Sequence, residues 1–299
     1  MAKRKRSQKK EVQASEKKTM VRKSNIFIDG RYRFGLHEQK ILLLVVSKIK
    51  MNQADFVPYR VTWSEIKDIS KGYLSTVAKI DKACESLKNK TISIKTGDIT
   101  DNFGFLSGWK THQGQYVEFR VDPSMKDMLL GLLEEGHFTL YDLEFALALP
   151  SAHSVRIYEI LKSHSWKKQP VEIALDDLKT SLDIPLDSPT YTDFGNFRQN
   201  VLGPSQRNLK KHTDISFTFT TVKVMRRVVA LSFTIKENKK FQRTVQAAAG
   251  RDFVRPGDLV LIGGKECRVD GSGLQYETGF LPIGQLTTLL KEGKIKLLS

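Results

Sequence analysis

Between Thr192 and Lys211 the chain sets an apolar stripe, Phe194, Phe197, Val201 and Leu209, against a polar set, Arg198, Gln199, Gln206, Arg207 and Lys210. At helical spacing the stripe faces a core and the polar set faces outward. A guanidinium forks onto the O6 and N7 edge of guanine, and a carboxamide onto the N6 and N7 edge of adenine, so these residue types suit the reading of base edges. Lys223, Arg226 and Arg227 lie between two alternating runs, Ile215–Thr221 and Val228–Lys236, and basic side chains at the tip of such a hairpin grip phosphates. An earlier helical stretch carries Val77, Ile80, Cys84 and Leu87 on one face and leaves Lys79 and Lys82 on others. Lys71, Ser75 and Thr76 fall in the turn before it. All of these polar residues are expected DNA contacts, set against the plain alternative that surface lysines such as Lys79 and Lys82 are merely solvated.

The elements that must position them are written twice. One copy runs from about Leu36 to Asp122, the other from about Thr139 to Lys236. Each reads as a long apolar-periodic helix, a short extended run, a short helix, a turn, a longer basic helix and two strands. Val61-Thr-Trp63-Ser-Glu-Ile66-Lys67 aligns with Ile173-Ala-Leu175-Asp-Asp-Leu178-Lys179, and Ile92-Ser-Ile94 with Ile215-Ser-Phe217. Thr62-Trp63-Ser64-Glu65 is a capping box that starts the first short helix. In the first copy, Leu36–Lys50 is the long helix and Thr96–Gly114 a polar wing between strands Thr91–Lys95 and Tyr116–Val121. In the second, Asp142–Ser165 is a helix or helix pair broken near Pro150, and Leu175–Leu182 is the short helix. Pro204 should remove a backbone bond from the Thr192–Lys211 helix and kink it. A helix pair followed by a β-hairpin is a winged helix, whose second helix is shaped for a major groove. The fold class is therefore α+β: two tandem winged helices, a disordered basic N-terminal tail and a small β-rich C-terminal appendage.

Charge supports this organisation. The net charge is +16, and half of it sits in Met1–Ser24, where ten Lys and Arg residues face only Glu11 and Glu16. Such a segment has too few apolar residues to fold alone and neutralises phosphates without sequence choice, or serves only to solubilise. The domains are then 1–24 (tail), 25–137 (first winged helix), 138–240 (second winged helix) and 241–299 (linker and small module). Within the last, Leu259–Ile262 and Glu266–Val269 read as a hairpin and Pro282–Leu290 as a short helix. The longest apolar run, Ile41–Val46, is too short to span a bilayer, so no membrane partner is expected. Cys84 and Cys267 fall in different domains, which fits a reducing, cytoplasmic compartment.

Catalysis is not expected. A nicking enzyme needs a metal-binding His pair separated by one hydrophobic residue, and the six histidines offer none; no Walker loop or Cys/His cluster occurs, so no metal or cofactor is expected either. Gly263-Gly264-Lys265 lacks the flanking Gly and Ser/Thr of a phosphate-binding loop. A transcriptional regulator without an initiation role is the alternative that shares the fold.

Arg156-Ile-Tyr158-Glu-Ile-Leu161, Leu175-Asp-Asp-Leu178, Tyr191, Phe197-Arg198, Val201-Leu202-Gly-Pro204, Thr213-Asp214-Ile215-Ser and Val229–Phe233 resemble, in order and spacing, the plasmid replication initiators of the iteron-binding type. Leu36-His37-Glu38-Gln39-Lys40 and Phe138-Thr139-Leu140 add to the resemblance, which covers about residues 25 to 236. It implies binding of repeated origin DNA by monomers, a dimer joined through the first domain that represses the initiator's own promoter, and host initiator and helicase as partners. It also implies that Arg198 reads bases. The chain departs from the family pattern at Ala174, Ser205 and Asn208-Leu209.

Overall fold

The computed structural model describes residues 19–50, 53–130, 138–241, 254, 258–262, 265–269, 273–276 and 279–298. Residues 1–18 of the tail expected over 1–24, and the linker around Ala247 and Pro256, lie outside them. Chain order begins with β1 (Met20–Ser24), α1 (Asn25–Asp29) and α2 (Leu36–Ser47), then β2 (Tyr59–Thr62), α3 (Trp63–Ile69) and α4 (Val77–Asn89). Four strands follow, β3 (Thr91–Thr96), β4 (Ile99–Gly104), β5 (Leu106–His112) and β6 (Tyr116–Val121), then α5 (Lys126–Leu129) and β7 (Phe138–Asp142).

The chain continues with α6 (Leu143–Ala148), α7 (Ala152–Ser163), β8 (Val171–Ala174) and α8 (Leu175–Ser181), the last two opening the second winged helix. Its long helix is α9 (Phe194–Phe197), a π turn (Arg198–Leu202) and α10 (Gly203–His212), followed by β9 (Ile215–Val224) and β10 (Arg227–Glu237). The two units repeat one sheet order: β2-β6-β5 in the first and β8-β10-β9 in the second, all antiparallel. In both, the strand before the short helix pairs with the last strand of the hairpin. Tyr59 and Val61 meet Phe119 and Val117 across one ladder, and Val171 meets Phe233 across the other. These residues are buried while Arg60 and Thr62 point out, the period-two signature of a sheet with one covered face.

This order corrects the expected strand match. Thr91–Thr96 does not pair with Tyr116–Val121; it pairs with β4 as a separate hairpin, turned at Gly97 (φ +62°) and inserted after α4. The true wing of the first unit is β5–β6, so Leu106–His112, not Ile92–Ile94, is the counterpart of Ile215–Val224. Helix α2 also stops at Ser47, short of Lys50.

The expected tail ends too late. Met20–Ser24 is a strand paired antiparallel with β7, and Arg22 and Lys23 are buried. Ile26–Ile28 is the middle of α1, with Phe27 and Ile28 fully buried. The β1–β7 pair thus joins the start of the first unit to the segment leading into the second.

A buried polar network reinforces that joint. The Arg156 Nη2 group donates to the carbonyls of Ile28 (2.7 Å), Gly30 (2.9 Å) and Ser181 (3.1 Å). Its Nη1 donates to the Tyr32 hydroxyl and to Glu159 Oε2 (3.2 Å). Glu159 Oε1 takes Lys23 Nζ at 2.6 Å and the Tyr141 hydroxyl. Nearby, Arg31 pairs with Asp183 at 2.7 Å and Ser181 Oγ donates to the Asp29 carbonyl. Helix α7 therefore holds the backbone of α1 with charge-assisted bonds, which are stronger than neutral ones.

The C-terminal segment forms the expected hairpin, β11 (Leu259–Ile262) with β12 (Lys265–Arg268), then β13 (Gly273–Tyr276) paired with β14 (Gly279–Pro282). Helix α11 (Ile283–Lys291) and β15 (Lys296–Leu298) complete it, and β15 adds to β11. Its core of Val254, Val260, Val269, Leu274, Leu286 and Ile295 includes Phe138 of β7, with Leu140 packed against it, so this module is docked on the joint between the units.

Candidate nucleic-acid interface

The long helix of the second unit buries Phe197, Val201, Leu202 and Leu209 and exposes Arg198, Gln199, Arg207 and Lys210, as its periodicity predicts. Pro204 does not end it. The helix accommodates the missing N–H by widening for one turn, and the Gly203 N–H reaches back to the Arg198 carbonyl. A Cβ at Gly203 would lie 3.2 Å from that carbonyl oxygen, which explains the Gly-Pro pair: glycine lets the widened turn close and proline starts the next segment.

Two departures from the family pattern become one feature. Ser205 is buried, and Ser154 Oγ of α7 donates to its hydroxyl at 3.2 Å, while Asn208 Nδ2 donates to Ser154 Oγ at 2.9 Å. The far end of the helix is fixed by Thr213, whose hydroxyl donates to the Leu209 carbonyl, and by Asp214, which accepts from Tyr158 and Lys162 of α7. The third departure, Ala174, leaves α8 without a side-chain cap; Asp176 and Asp177 in its first turn oppose the helix dipole instead.

Between this helix and β9 lies a groove of about 1020 Å³ lined by Phe194, Gly195, Arg198, Gln199, Gly203, Gln206, Arg207 and Thr218 to Thr221. Gln206 is not a free reader: its Nε2 donates to the Phe217 carbonyl at 2.9 Å, tying helix to wing. At the wing tip Lys223, Arg226 and Arg227 are exposed around Met225, which is 97% exposed and held at φ +54°. A left-handed methionine is a conformational cost in the free protein.

The first unit presents the same parts. The Thr62 hydroxyl accepts from the Glu65 N–H and Glu65 reaches back to the Thr62 N–H, the capping box read from sequence, and Lys48 adds a 2.7 Å ion pair. The turn passes through Lys71 (φ +50°) and Gly72 (φ +80°) into Thr76, whose hydroxyl caps α4. Ser75, Thr76, Lys71, Lys79 and Lys82 are all exposed, and the Lys79 ammonium lies 5.1 Å over the Tyr73 ring. Asp81 of α4 accepts from Trp109 Nε1 (2.9 Å) and Thr111 Oγ1 (2.7 Å) of β5, so this helix too is tied to its wing. The Cys84 thiol is on the buried face, and burial pushes its pKa up to about 12. Burial followed by the Lys167 charge pushes His164 down to about 4, and His153 is lowered by burial and Arg33.

The sequence reading missed Tyr73, Trp109 and the Arg156 network. A signal for the last existed: Arg156 and Glu159 stand three apart inside the otherwise apolar run Val155–Leu161, where both faces are buried.

Two winged helices of identical strand order, each with its longer helix braced against its wing, define a tandem winged-helix protein. The sequence comparisons identify which kind. The description "Initiator Replication protein, WH1" matches residues 20–162 and "Initiator Rep protein, WH2" matches residues 174–235, and the chain belongs to this family of replication initiators. Among solved structures it is similar to one described as the Pi initiator protein in complex with iteron DNA, at TM-score 0.60 and 20% identity, covering 73% of this chain and 97% of that one. No curated protein sequence matches the chain.

Proposed function

We propose that this protein starts plasmid replication by binding repeated sequences at an origin, one monomer to each repeat. The long helix of the second unit reads one major groove and α4 reads the next. The observation that carries this is the duplicated helix and wing, with cations on the outward face of both helices, in a family of replication initiators. The similar fold described in complex with iteron DNA supports the same reading. Arg198, Gln199, Arg207 and Lys210 line or flank the groove and contact bases or adjacent phosphates. Lys223, Arg226 and Arg227 grip the backbone beside it. Filled repeats crowd and bend the neighbouring DNA, where flexible steps lower the cost of opening, and the exposed surfaces recruit the host initiator and helicase. A dimer joined through the first unit binds an inverted site in the initiator's own promoter and represses it.

Two successive major grooves on one face lie about 34 Å apart, so each repeat spans roughly 20 base pairs. Selection of bound duplexes from a random pool at physiological salt tests the reading. Enrichment of one site of that length, filled by monomers in direct tandem, is the expected result. Enrichment of an inverted repeat alone, bound by dimers, would overturn it in favour of a transcriptional regulator.

A further inference from the structure

The tip of the second unit's wing carries a side chain that a grip on phosphates does not explain. Strands β9 and β10 are joined by Met225 and Arg226, and Val224 pairs with Arg227 at the base of the turn. Met225 is held at φ +54° and Arg226 is not left-handed, the pattern of a two-residue hairpin turn whose first central position favours glycine. Methionine there adopts a backbone conformation that L side chains avoid, with its side chain 97% exposed. Val224 beside it is 59% exposed, so apolar surface is carried to the very end of the hairpin. The first unit shows the unspecialised alternative. Its wing closes through Gln113-Gly114-Gln115, with glycine at the left-handed position (φ +75°) and polar residues on both sides.

The surroundings of the tip identify what it meets. Lys223, Arg226 and Arg227 frame it and are all exposed, so its partner is lined with negative charge. A thioether cannot neutralise a phosphate; the methionine gains only where its apolar body leaves water. In a duplex that surface lies between stacked bases, and apolar side chains, methionine among them, enter base steps from the minor groove, unstack them and kink the DNA. The wing has the reach. Thr218 to Thr221 of β9 line the groove beside the long helix, and Met225 stands four to seven residues further on, about 14–24 Å at 3.4 Å per residue. The neighbouring minor groove lies about half a turn, roughly 17 Å, from the major groove that the helix enters. The β10 ladder also shifts register at Val229, and a bulge there adds twist and re-aims the tip.

We propose that Met225 is a wedge: it enters the minor groove beside the long helix, inserts at one base step and kinks the duplex there, while Arg226 and Arg227 hold the phosphates that wall that groove. The proposal rests on the DNA-binding reading above and extends it from which groups are contacted to how the DNA is deformed. Pyrimidine–purine steps unstack at the lowest cost, so the wedge selects its position by deformability and not by hydrogen bonds. Because only the second unit's wing carries such a side chain, each bound repeat is wedged at one end only.

The test uses the full chain on a duplex selected from the random pool and on a scrambled one. The base analogue 2-aminopurine, placed at each position in turn, brightens where its step is unstacked, and energy transfer between the duplex ends reads the bend. Met225→Gly removes the wedge and suits the left-handed φ, so the wing still forms; Met225→Leu keeps an apolar side chain. Wild type and Met225→Leu should brighten one step, about half a turn from the base position that Arg198→Ala relaxes, and bring the ends closer. Met225→Gly should lose the brightening and reduce the bend, with the salt slope of log K unchanged because no phosphate contact is removed. A mismatch at the brightened step is easier to unstack, so it should tighten binding several-fold for the wild type and not for Met225→Gly. No brightened step with the wild type, or equal brightening and bending by wild type and Met225→Gly, would overturn the wedge and leave the initiator reading standing. If the pool yields no preferred duplex, the initiator reading falls instead, and the bend of the scrambled duplex with wild type and Met225→Gly still decides the wedge.

Discussion

Glu159→Gln isolates the strongest electrostatic claim in the fold. Glu159 pairs with two buried cations, Lys23 at 2.6 Å and Arg156 at 3.2 Å, and all three side chains are nearly inaccessible to solvent. Burial alone would raise the Glu159 pKa, but Lys23 and then Arg156 outweigh it and hold it below the ordinary 4.5. The two partners of the Lys23–Glu159 pair shift in opposite senses with respect to stability. Burial costs Lys23 more than Glu159 returns, so Lys23 lies below its ordinary value, with Arg156 adding to the cost. The network as a whole is thus no large net stabiliser, yet it is asymmetric. Removing the carboxylate charge leaves buried Lys23 without its ion pair and Arg156 with backbone carbonyls and the neighbouring Asp29, at a cost of about 3–5 kcal/mol. Lys23→Met removes one cation, keeps a similar volume and leaves Arg156 paired with Glu159, so it should cost far less. Urea unfolding of wild type and both variants reads the difference directly. Because the folded pKa of Glu159 is depressed, its contribution is present in full above about pH 4.5 and is lost as pH falls through the folded value. The gap between wild type and Glu159→Gln should therefore narrow at acid pH. A loss under about 1 kcal/mol for Glu159→Gln, or an equal loss for Lys23→Met, would refute the account.

Arg198→Ala should weaken binding of the selected site by about 1–3 kcal/mol and relax the preference at one base position, as read by competition among single-position variants of the site. Arg226→Gln with Arg227→Gln should weaken selected and scrambled duplexes alike and reduce the salt slope by about 1.8, since two phosphate contacts are removed; a change in base preference would place the wing in the bases instead. Thr62→Ala removes a cap whose two bonds are both formed and should cost about 1 kcal/mol in urea unfolding. Gly203→Ala should destabilise the second unit in the same assay, because the added carbon meets the Arg198 carbonyl at 3.2 Å.

What was legible in the sequence is what has a local cause. The stripe Phe197, Val201 and Leu209, the capping box at Thr62 and the hairpin from Leu259 follow from period, hydroxyl spacing and turn residues, and the fold has them there. Strand pairing has no such cause. Ile92-Ser-Ile94 alternates just as Ile215-Ser-Phe217 does, and only the tertiary choice of β6 as partner for β2 decides which run is the wing. Arg22 and Lys23 counted as tail because the counter-charge, Glu159, is 136 residues away from Lys23. Gln206 has the right type and the right face for a base contact, but the carbonyl it meets belongs to β9.

The braces on the two longer helices bear on how the units divide their work. Asp81 in α4 spends a carboxylate on Trp109 and Thr111, placing a negative charge beside the groove face of the first unit. Gln206 does the same mechanical task in the second unit with a neutral amide, and Arg198, Arg207 and Lys210 are hydrogen-bonded to no carboxylate among the described residues. The second helix therefore offers the higher positive potential to an approaching duplex, and potential of one sign in a cleft steers association. The Arg156 network then has a consequence for geometry. By donating to the carbonyls of Ile28, Gly30 and Ser181, Arg156 of α7 ties α1 and the end of α8 together through short, directional bonds.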